Sequence, residues 1–338
     1  MSREMRSYRD DVFVYRTSSK TLKNDVKVVL EEVGLKDYYS KERRTLIKVN
    51  ANYDRFYPGC NTSPWFLDAL LSALKEFGFI NLVVVEGDLK LQPAERTIEA
   101  AGLKGILEKH EIPFINLDKC SRDKKELPII IHESQVINVP VIHTHTFAVI
   151  SCACKNLFGL LPVDREKYHN DLAEKLLELY MAVRPCFTIV DGTVGLDGGS
   201  MRMGNPRKLD LVVAGWDPLM VDVVIARIMG FSSSQVPLLS LAEERHLLKI
   251  PTVRGSFNRY EELPCFNFRY KKSKVAKIDL WLRRNRLLGR FFKYNSLLDR
   301  LAHKSRRAIL SIHYLLKKDK LLNSEWVEYR KLIETRQN

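Results

Sequence analysis

Long hydrophobic runs are absent from this sequence of 338 residues. No apolar stretch approaches the ~20 residues that a membrane-spanning helix needs, so we expect no transmembrane helix. Residues 1–11 are rich in charge and lack the apolar core of a signal peptide, so we expect no secretory leader. These absences predict a cytoplasmic protein, with attachment to the surface of a membrane as a second option.

Cysteine is also scarce. The chain has six cysteines, and no two of them are separated by two residues. This excludes the disulfide framework of a small secreted protein and the C-x-x-C pairs of common zinc and iron–sulfur sites. We therefore expect Cys152 and Cys154 to pack as small apolar side chains.

The charge is unevenly distributed along the chain. Apolar residues make up 45% of the sequence, which is enough for a large core, and the net charge is +14. Residues 271–338 hold 19 Lys and Arg against 6 Asp and Glu, so the remaining residues carry a net charge of only +1. We predict an N-terminal extension over residues 1–44, an α/β body over 45–250 and a basic amphipathic helical tail over 251–338.

Segments with strand and helix periodicity alternate through the body. This order predicts an α/β fold with a mostly parallel twisted sheet and helices on both faces. Ligands in such sheets bind beyond the carboxyl ends of the strands, where several polar clusters follow predicted strands here. The strands are predicted at residues 45–51, 81–86, 113–117, 135–144, 186–190 and 209–214, and the helices at 63–78, 93–110, 164–183 and 217–229.

The segment over residues 141–169 holds the most informative side chains. His143 and His145 lie two residues apart, which places them on one face of a strand, and Lys155 and His169 follow. Two imidazoles near an amine can bind a metal or transfer protons near neutral pH. The alternative is that one histidine caps a strand and the other is half-buried with its hydrogen bonds satisfied.

Glycines and carboxylates mark two further segments. The stretch over residues 191–204 includes Asp191, Gly192 and Gly198, and it is either a site loop or a tight connection. Asp217 stands before a proline at a helix start, where a helix cap is the simplest interpretation. Asp222 lies on an apolar helix face and needs a partner, for which Lys48, Lys155 and Arg202 are the candidates.

Taken together, these segments resemble the prokaryotic domain-of-unknown-function family 362, over roughly residues 45–245. This chain has His143 where the family more often has lysine, and it lacks the ferredoxin-like cysteine run of many members. The resemblance rests on Lys48-Val-Asn50, Asn138 to His145, Cys154-Lys-Asn156, Phe158-Gly159, His169, Asp191-Gly192, Asp217-Pro218 and Asp222.

A more distant part of the pattern is similar to the N-terminal half of the nickel-pincer lactate racemases. Those enzymes have a histidine, a lysine ten residues later and a further histidine, and His145, Lys155 and His169 follow that order. The similarity implies that Lys155 holds a nicotinate-derived cofactor and that His169 ligates nickel. Where the racemases have a His-Arg pair after an earlier strand, this chain has Glu86-Gly87-Asp88, which argues against the racemase reaction.

The tail alternates aromatic and aliphatic residues with lysine and arginine, most clearly over residues 280–301. Such a pattern suits an anionic membrane surface, and also nucleic acid, although no nucleic-acid motif accompanies it. The interpretation that we rank first is a helical arm that packs on the body or on a partner protein, including a second copy of the chain. A membrane surface ranks second and nucleic acid last.

These observations predict a metal- or cofactor-dependent enzyme that acts on a small anionic molecule by proton, hydride or redox chemistry, as an oxidoreductase or isomerase. His145, Lys155 and His169 are the expected catalytic residues, with His145 and His169 as ligands of a divalent iron or nickel ion. The alternative is a non-catalytic ligand- or partner-binding module whose tail contacts an anionic surface. The expected cofactor-binding residues are Lys48, Asn50, Asn156, Asp191, Gly192, Gly198, Asp217 and Asp222.

Overall fold

A computed structural model describes residues 10–90, 92–184, 186–198, 202, 204–270, 304–305, 308–317 and 326–334. Within these residues, ten strands form one sheet. The strands are β1 (Asp11–Arg16), β2 (Thr45–Lys48), β3 (Leu82–Glu86), β4 (Phe114–Asn116), β5 (Gln135–Asn138), β6 (Val141–His145), β7 (Val149–Ser151), β8 (Phe187–Asp197), β9 (Asn205–Gly215) and β10 (Thr252–Gly255).

Helices cover the sheet. They are α1 (Leu22–Glu32), α2 (Leu35–Tyr38), α3 (Pro64–Glu76), α4 (Ala94–Ala100), α5 (Leu103–His110), α6 (Ile129–His132), α7 (Ala153–Leu157), α8 (Leu172–Ala182), α9 (Pro218–Met229), α10 (Pro237–Glu244) and α11 (Val327–Glu334). A 3₁₀ helix, Arg165–Asp171, precedes α8, and residues 308–317 are also helical.

The sheet is mostly parallel, as predicted. Its strand order is β10-β1-β9-β8-β5-β2-β3-β4, and β6 adds to β8 and to β7. The antiparallel pairs are β1 with β9, β6 with β7 and β8 with β9, whereas the other six pairs are parallel. The α/β fold class predicted from the alternating periodicity is therefore confirmed.

Two hydrophobic cores lie on the two faces of the sheet. Successive side chains of a strand point to opposite faces, and the fully buried Leu46 and Ile47 of β2 accordingly belong to different cores. The core on the Leu46 face includes residues of α7, α8, α9 and α10. The core on the Ile47 face includes residues of α1, α3 and α5, so both faces are covered.

The N-terminal boundary of the body differs from the prediction. Within the predicted extension over residues 1–44, the described residues 10–44 belong to the body, because β1 pairs with β9 and β10 and α1 packs on α3. The short run Asp11–Arg16 is apolar from Val12 to Tyr15, but its partner strands lie roughly 200 or more residues later, which local patterns do not reveal. The body likewise extends past residue 250, since β10 is part of the sheet.

Glycine and proline divide two of the predicted elements. The predicted helix over residues 93–110 breaks at Gly102, whose φ of 77° lies in the left-handed region. The predicted strand over 135–144 is two strands on either side of Pro140, which has no N–H to donate to a ladder. The predicted helix over 164–183 begins as the 3₁₀ helix and becomes α-helical only at Leu172.

The described residues of the predicted tail beyond residue 270 are mainly helical and pack on the body, whereas residues 251–270, predicted as part of that helical tail, hold β10 and a 3₁₀ turn and no α-helix. Trp326 and Tyr329 are buried, and both rings stack on Trp65 of α3, with centroids 6.3 and 5.9 Å away. The Tyr329 hydroxyl donates to Asp210 Oδ1 over 2.6 Å. Residues 280–301, which carry the basic and apolar pattern, lie outside the described residues. Across the described part of the chain, no helix combines the length and apolar character needed to cross a bilayer.

Candidate functional site

A cavity of about 100 Å³ opens at the carboxyl ends of β2 and β3, where an α/β sheet is expected to bind ligands. Both strands end in a charged residue there, and α7 and the 3₁₀ helix Arg165–Asp171 close the opposite side. The lining residues are Lys48, Asn50, Asn52, Glu86, Leu89, Pro140, Val141, His143, Ser151, Cys152, Lys155, Asn156, Phe158, Gly159, Arg165, Glu166, His169 and Arg202.

A buried ion pair lies along one wall of the cavity. Lys48 Nζ is 2.7 Å from Glu86 Oε2 and donates a second hydrogen bond to the Val49 carbonyl over 2.8 Å. Burial lowers the pKa of Lys48, and the attraction of Glu86 opposes that shift. A Cβ on Gly159 would lie 2.8 Å from Lys48 Nζ and 2.9 Å from Glu86 Oε1, so a larger residue there would displace the ends of the paired side chains.

Lys155 lines the same cavity and has no carboxylate partner in the part of the chain that the structure describes. Among the described residues, its Nζ makes no ion pair or hydrogen bond, and its contact is with the Phe158 ring, whose centroid is 4.0 Å away. Burial lowers the pKa of Lys155 to about 7, and repulsion from Arg165 and Lys48 adds to the shift. At neutral pH this side chain therefore exists in comparable amounts as an ammonium cation and as a free amine.

Two arginines make the cavity strongly cationic. Arg165 is buried, and its Nη1 donates to the Leu161 carbonyl over 3.1 Å. Arg202 belongs to the glycine-rich stretch and also lines the cavity. The charges of Glu86 and Lys48 balance each other. The remaining cations of the lining are Lys155 and the two arginines, and they outnumber the one remaining carboxylate, Glu166. This charge balance favours an anionic ligand.

Of the two histidines on β6, His143 lines the cavity and His145 does not. His143 is buried, and its Nδ1 has no hydrogen-bond partner among the described residues. Burial lowers the pKa of His143 to about 4, so the ring is neutral at pH 7. His169, on the 3₁₀ helix, also lines the cavity.

His145 turns into the hairpin between β6 and β7. Its Nδ1 accepts hydrogen bonds from the backbone N–H groups of Phe147 and Ala148, over 3.1 and 3.2 Å, and it does not line the cavity. The Phe147 ring contacts both His145 and His169, with centroids 6.0 and 5.2 Å away. His143 and His145 lie on the same strand but in different surroundings, because the backbone of the turn after β6 hydrogen-bonds to the His145 ring.

Asparagine side chains line the remaining wall and are held by backbone carbonyls and by other asparagine side chains. Asn50 Nδ2 donates to the Cys60 carbonyl over 2.9 Å, and its Oδ1 accepts from Asn52. Asn156 Nδ2 donates to Asn138 Oδ1 over 2.8 Å and to the Lys48 carbonyl over 3.2 Å. The predicted residues Lys48, Asn50 and Asn156 therefore do meet at the cavity.

Four of the predicted cofactor-binding residues lie elsewhere. Asp191 accepts hydrogen bonds from Ser63 and Thr193, which fixes the start of α3. Gly192 lies within β8 and not in a loop, and a Cβ there would meet the Leu211 carbonyl at 2.7 Å. Gly198 follows the end of β8 with a φ of 115°. Asp217 caps α9 by accepting from the Leu219 N–H over 2.9 Å.

Asp222 also lies outside the cavity but supports it. Its two carboxylate oxygens accept hydrogen bonds from the N–H groups of Ala153 and Cys154, over 2.8 and 3.0 Å. These groups begin α7, which carries Lys155 and Asn156 to the cavity. Burial raises the pKa of Asp222 to about 6. Its partner is thus a helix start rather than one of the three cations considered from the sequence.

Glu86, Arg165 and His143 are site residues that sequence reasoning did not select. Glu86 ends a buried strand, and that position was the available signal. Arg165 has no sequence signal, because a basic residue at a helix start is normally solvated. His143 carried the same signal as His145, and only the hairpin geometry separates them.

The predicted metal ligands do not assemble into a complete protein site. Among the described residues, no three His, Cys, Asp or Glu side chains come together in a way that could hold a metal ion. His145 Nδ1 is already occupied by two backbone N–H groups. These side chains alone therefore do not fit an iron or nickel ion.

Two comparisons with known proteins bear on the chain. Residues 45–227 match the profile of a protein family described as Domain of unknown function (DUF362). A segment of 118 residues is 30% identical to the thylakoid-associated protein sll1697 of Synechocystis sp.. That segment covers 32% of this chain and 36% of the relative, so the similarity spans about a third of each protein.

Proposed function

The chain belongs to the family described as Domain of unknown function (DUF362), and from that premise we propose that it is an enzyme that binds a small anion in this cavity and transfers a proton on it. The observation that carries the proposal is Lys155, an amine in a cationic cavity with no carboxylate partner among the described residues. A lysine with a structural role would have an anion of the protein beside it.

Lys155 suits proton transfer because its pKa is about 7. A group with a pKa near the working pH is present in both protonation states and can donate or accept a proton. His169, which lines the same cavity, is the second candidate for this role. Arg165 and Arg202 would hold the negative charge of the substrate, and the Lys48–Glu86 pair would orient the wall next to it.

The metal and the covalent cofactor that the resemblance implies stay predictions. An iron or nickel ion would need ligands from a cofactor or substrate, because the described residues supply fewer than three. The free amine form of Lys155 would be the group that attaches a cofactor. The assignment to oxidoreductases or isomerases likewise stays a prediction.

Calorimetric titration with inorganic phosphate tests anion binding. Lys155→Met keeps the length of the side chain and removes the charge, so we expect at least about tenfold weaker binding. The matched control is Lys124→Met, at an exposed lysine that does not line the cavity. Equal phosphate affinity in both variants would contradict the role of Lys155.

Deuterium exchange tests the proton-transfer step. A panel of small carboxylates and phosphate esters is incubated with the protein in D₂O, and carbon-bound deuterium is measured by NMR. We expect exchange in at least one compound, and we expect Lys155→Met to abolish it. Phosphate binding without exchange in any compound would instead support the non-catalytic binding module.

We also propose that the protein lies at the surface of a membrane and reaches it through residues 271–338. Support comes from the excess of 13 positive charges in this segment, because anionic lipids attract such segments. The relative named as thylakoid-associated agrees with this location, although it matches only in part. Sedimentation with vesicles of phosphatidylglycerol tests the membrane location. If the protein does not sediment with the vesicles and instead binds a protein partner or nucleic acid, the membrane location is wrong.

A further inference from the structure

The helix over residues 308–317 is apolar on two opposite sides. Its inner side is attached to the body, where the Leu310 carbonyl accepts a hydrogen bond from the Tyr53 hydroxyl over 3.1 Å. Tyr314 packs there too, under the guanidinium group of Arg55, which lies 5.1 Å from the ring centroid. Lys317 Nζ donates to Asn205 Oδ1 over 2.9 Å and secures the end of the helix.

The outer side carries four large aliphatic residues that face solvent. Ile309 and Ile312 are 57% and 59% exposed, and Leu315 and Leu316 are 66% and 82% exposed. At about 100° per residue, these four positions span a stripe of roughly 120° opposite Leu310 and Tyr314. A helix that is apolar on both sides needs a second apolar environment, and among the described residues the body supplies only the first.

We propose that this stripe, Ile309, Ile312, Leu315 and Leu316, is the face that inserts into the surface of an anionic lipid membrane. The proposal rests on the membrane location proposed above and names the residues that enter the lipid. An interfacial helix combines an apolar stripe with basic neighbours, and six basic residues against one acidic residue occur between positions 304 and 320.

Charge decides between lipid and a second copy of the chain as the occupant. Two copies joined through this stripe would bring together two segments that each carry a net charge of +13. Like charges at an interface repel, whereas anionic headgroups attract the same segments. In sequence, the stripe belongs to the most basic segment of the chain, residues 271–338, which favours lipid.

Flotation with vesicles of phosphatidylcholine alone and of phosphatidylcholine mixed with phosphatidylglycerol tests the stripe in the full chain. The double variant Ile312→Ser/Leu316→Ser removes two side chains that are already exposed, so the thermal unfolding temperature should not change. We expect this variant to bind the mixed vesicles about thirtyfold more weakly than the wild-type chain does. The matched control is Ile80→Ser/Ile250→Ser, which removes two aliphatic side chains that are 78% and 84% exposed elsewhere.

The outcomes separate the stripe from the membrane location itself. If the wild-type chain does not float with mixed vesicles, both proposals fail. If it floats and the stripe and control variants bind equally well, the membrane location stands and the stripe is wrong. If sedimentation shows a dimer that Ile312→Ser/Leu316→Ser dissociates, the stripe binds a second copy, which overturns the lipid assignment.

Discussion

Replacing Lys155 and Lys48 separately by methionine should change stability in opposite directions. Both lysines line one cavity, and methionine keeps much of the length and packing of the side chain. Lys48 has a carboxylate 2.7 Å away, whereas Lys155 has none among the described residues. The pair of variants therefore compares a partnered and an unpartnered cation in the same surroundings.

The magnitude for Lys155 follows from its pKa, which burial lowers from 10.5 to about 7. Such a shift corresponds to roughly 4 kcal/mol of lost stability at pH 7, or about 2–4 kcal/mol with allowance for the part of the side chain that reaches water. Losing the contact with Phe158 costs about 0.5–2 kcal/mol in the other direction. Lys155→Met should therefore stabilise the free protein by about 1–3 kcal/mol.

Lys48→Met should destabilise the protein by about 3–5 kcal/mol, because it leaves the buried Glu86 carboxylate without its partner. Urea unfolding at pH 7 measures both variants. The unfolded chain keeps the Lys155 proton up to about pH 10.5, whereas the folded chain releases it near pH 7. Wild-type stability should accordingly rise from pH 7 towards pH 10 relative to Lys155→Met. If Lys155→Met instead loses 3–5 kcal/mol as Lys48→Met does, Lys155 belongs to an ion pair and the assignment is refuted.

Three further predictions concern the cavity and the tail. Phosphate affinity should fall as pH rises above about 7, by up to tenfold per pH unit, because the amine of Lys155 loses its proton. Calorimetry at several pH values measures this, and an unchanged affinity would mean that only the arginines bind the phosphate. His143→Leu should stabilise the free protein by about 1–3 kcal/mol, because it removes a buried nitrogen that has no partner among the described residues. The same variant should weaken phosphate binding, whereas His143→Asn should retain it. Thermal melts and calorimetric titration measure the two effects, and a destabilised His143→Leu would contradict the assignment of an unpartnered nitrogen. Trp326→Ala should cost about 3–5 kcal/mol in urea unfolding, and a negligible cost would show that the tail is not part of the core.

Local signals were sufficient for those elements that depend on neighbouring residues. Ser63 and Pro64 mark the start of α3, and the helix ends just before Gly78, whose φ is 88°. Buried parallel strands read as continuous apolar runs, which made β3 visible and placed Glu86 at its carboxyl end. The alternation of such elements was enough to predict the fold class.

Features that depend on distant parts of the chain could not be predicted in this way. β1 joins the sheet through β9 and β10, so nothing near residue 11 reveals it. The different roles of His143 and His145 depend on a hairpin in which Val149 has a φ of 66°, a conformation that a β-branched residue rarely adopts. Arg165 reaches the cavity because the predicted helix begins as a 3₁₀ turn, and periodicity does not distinguish the two helix types there.

The packing of Trp326 and Tyr329 on Trp65 has a consequence for biosynthesis. During translation, α3 and the first strands leave the ribosome more than 200 residues before the rings that cover Trp65. Until then the apolar surface around Trp65 stays exposed. β1 likewise cannot pair until β9 and β10 have been synthesised. Chains with such long-range closures fold slowly and are prone to aggregation while incomplete. Nascent chains that stop before residue 326 should therefore depend on chaperones more than the finished protein does.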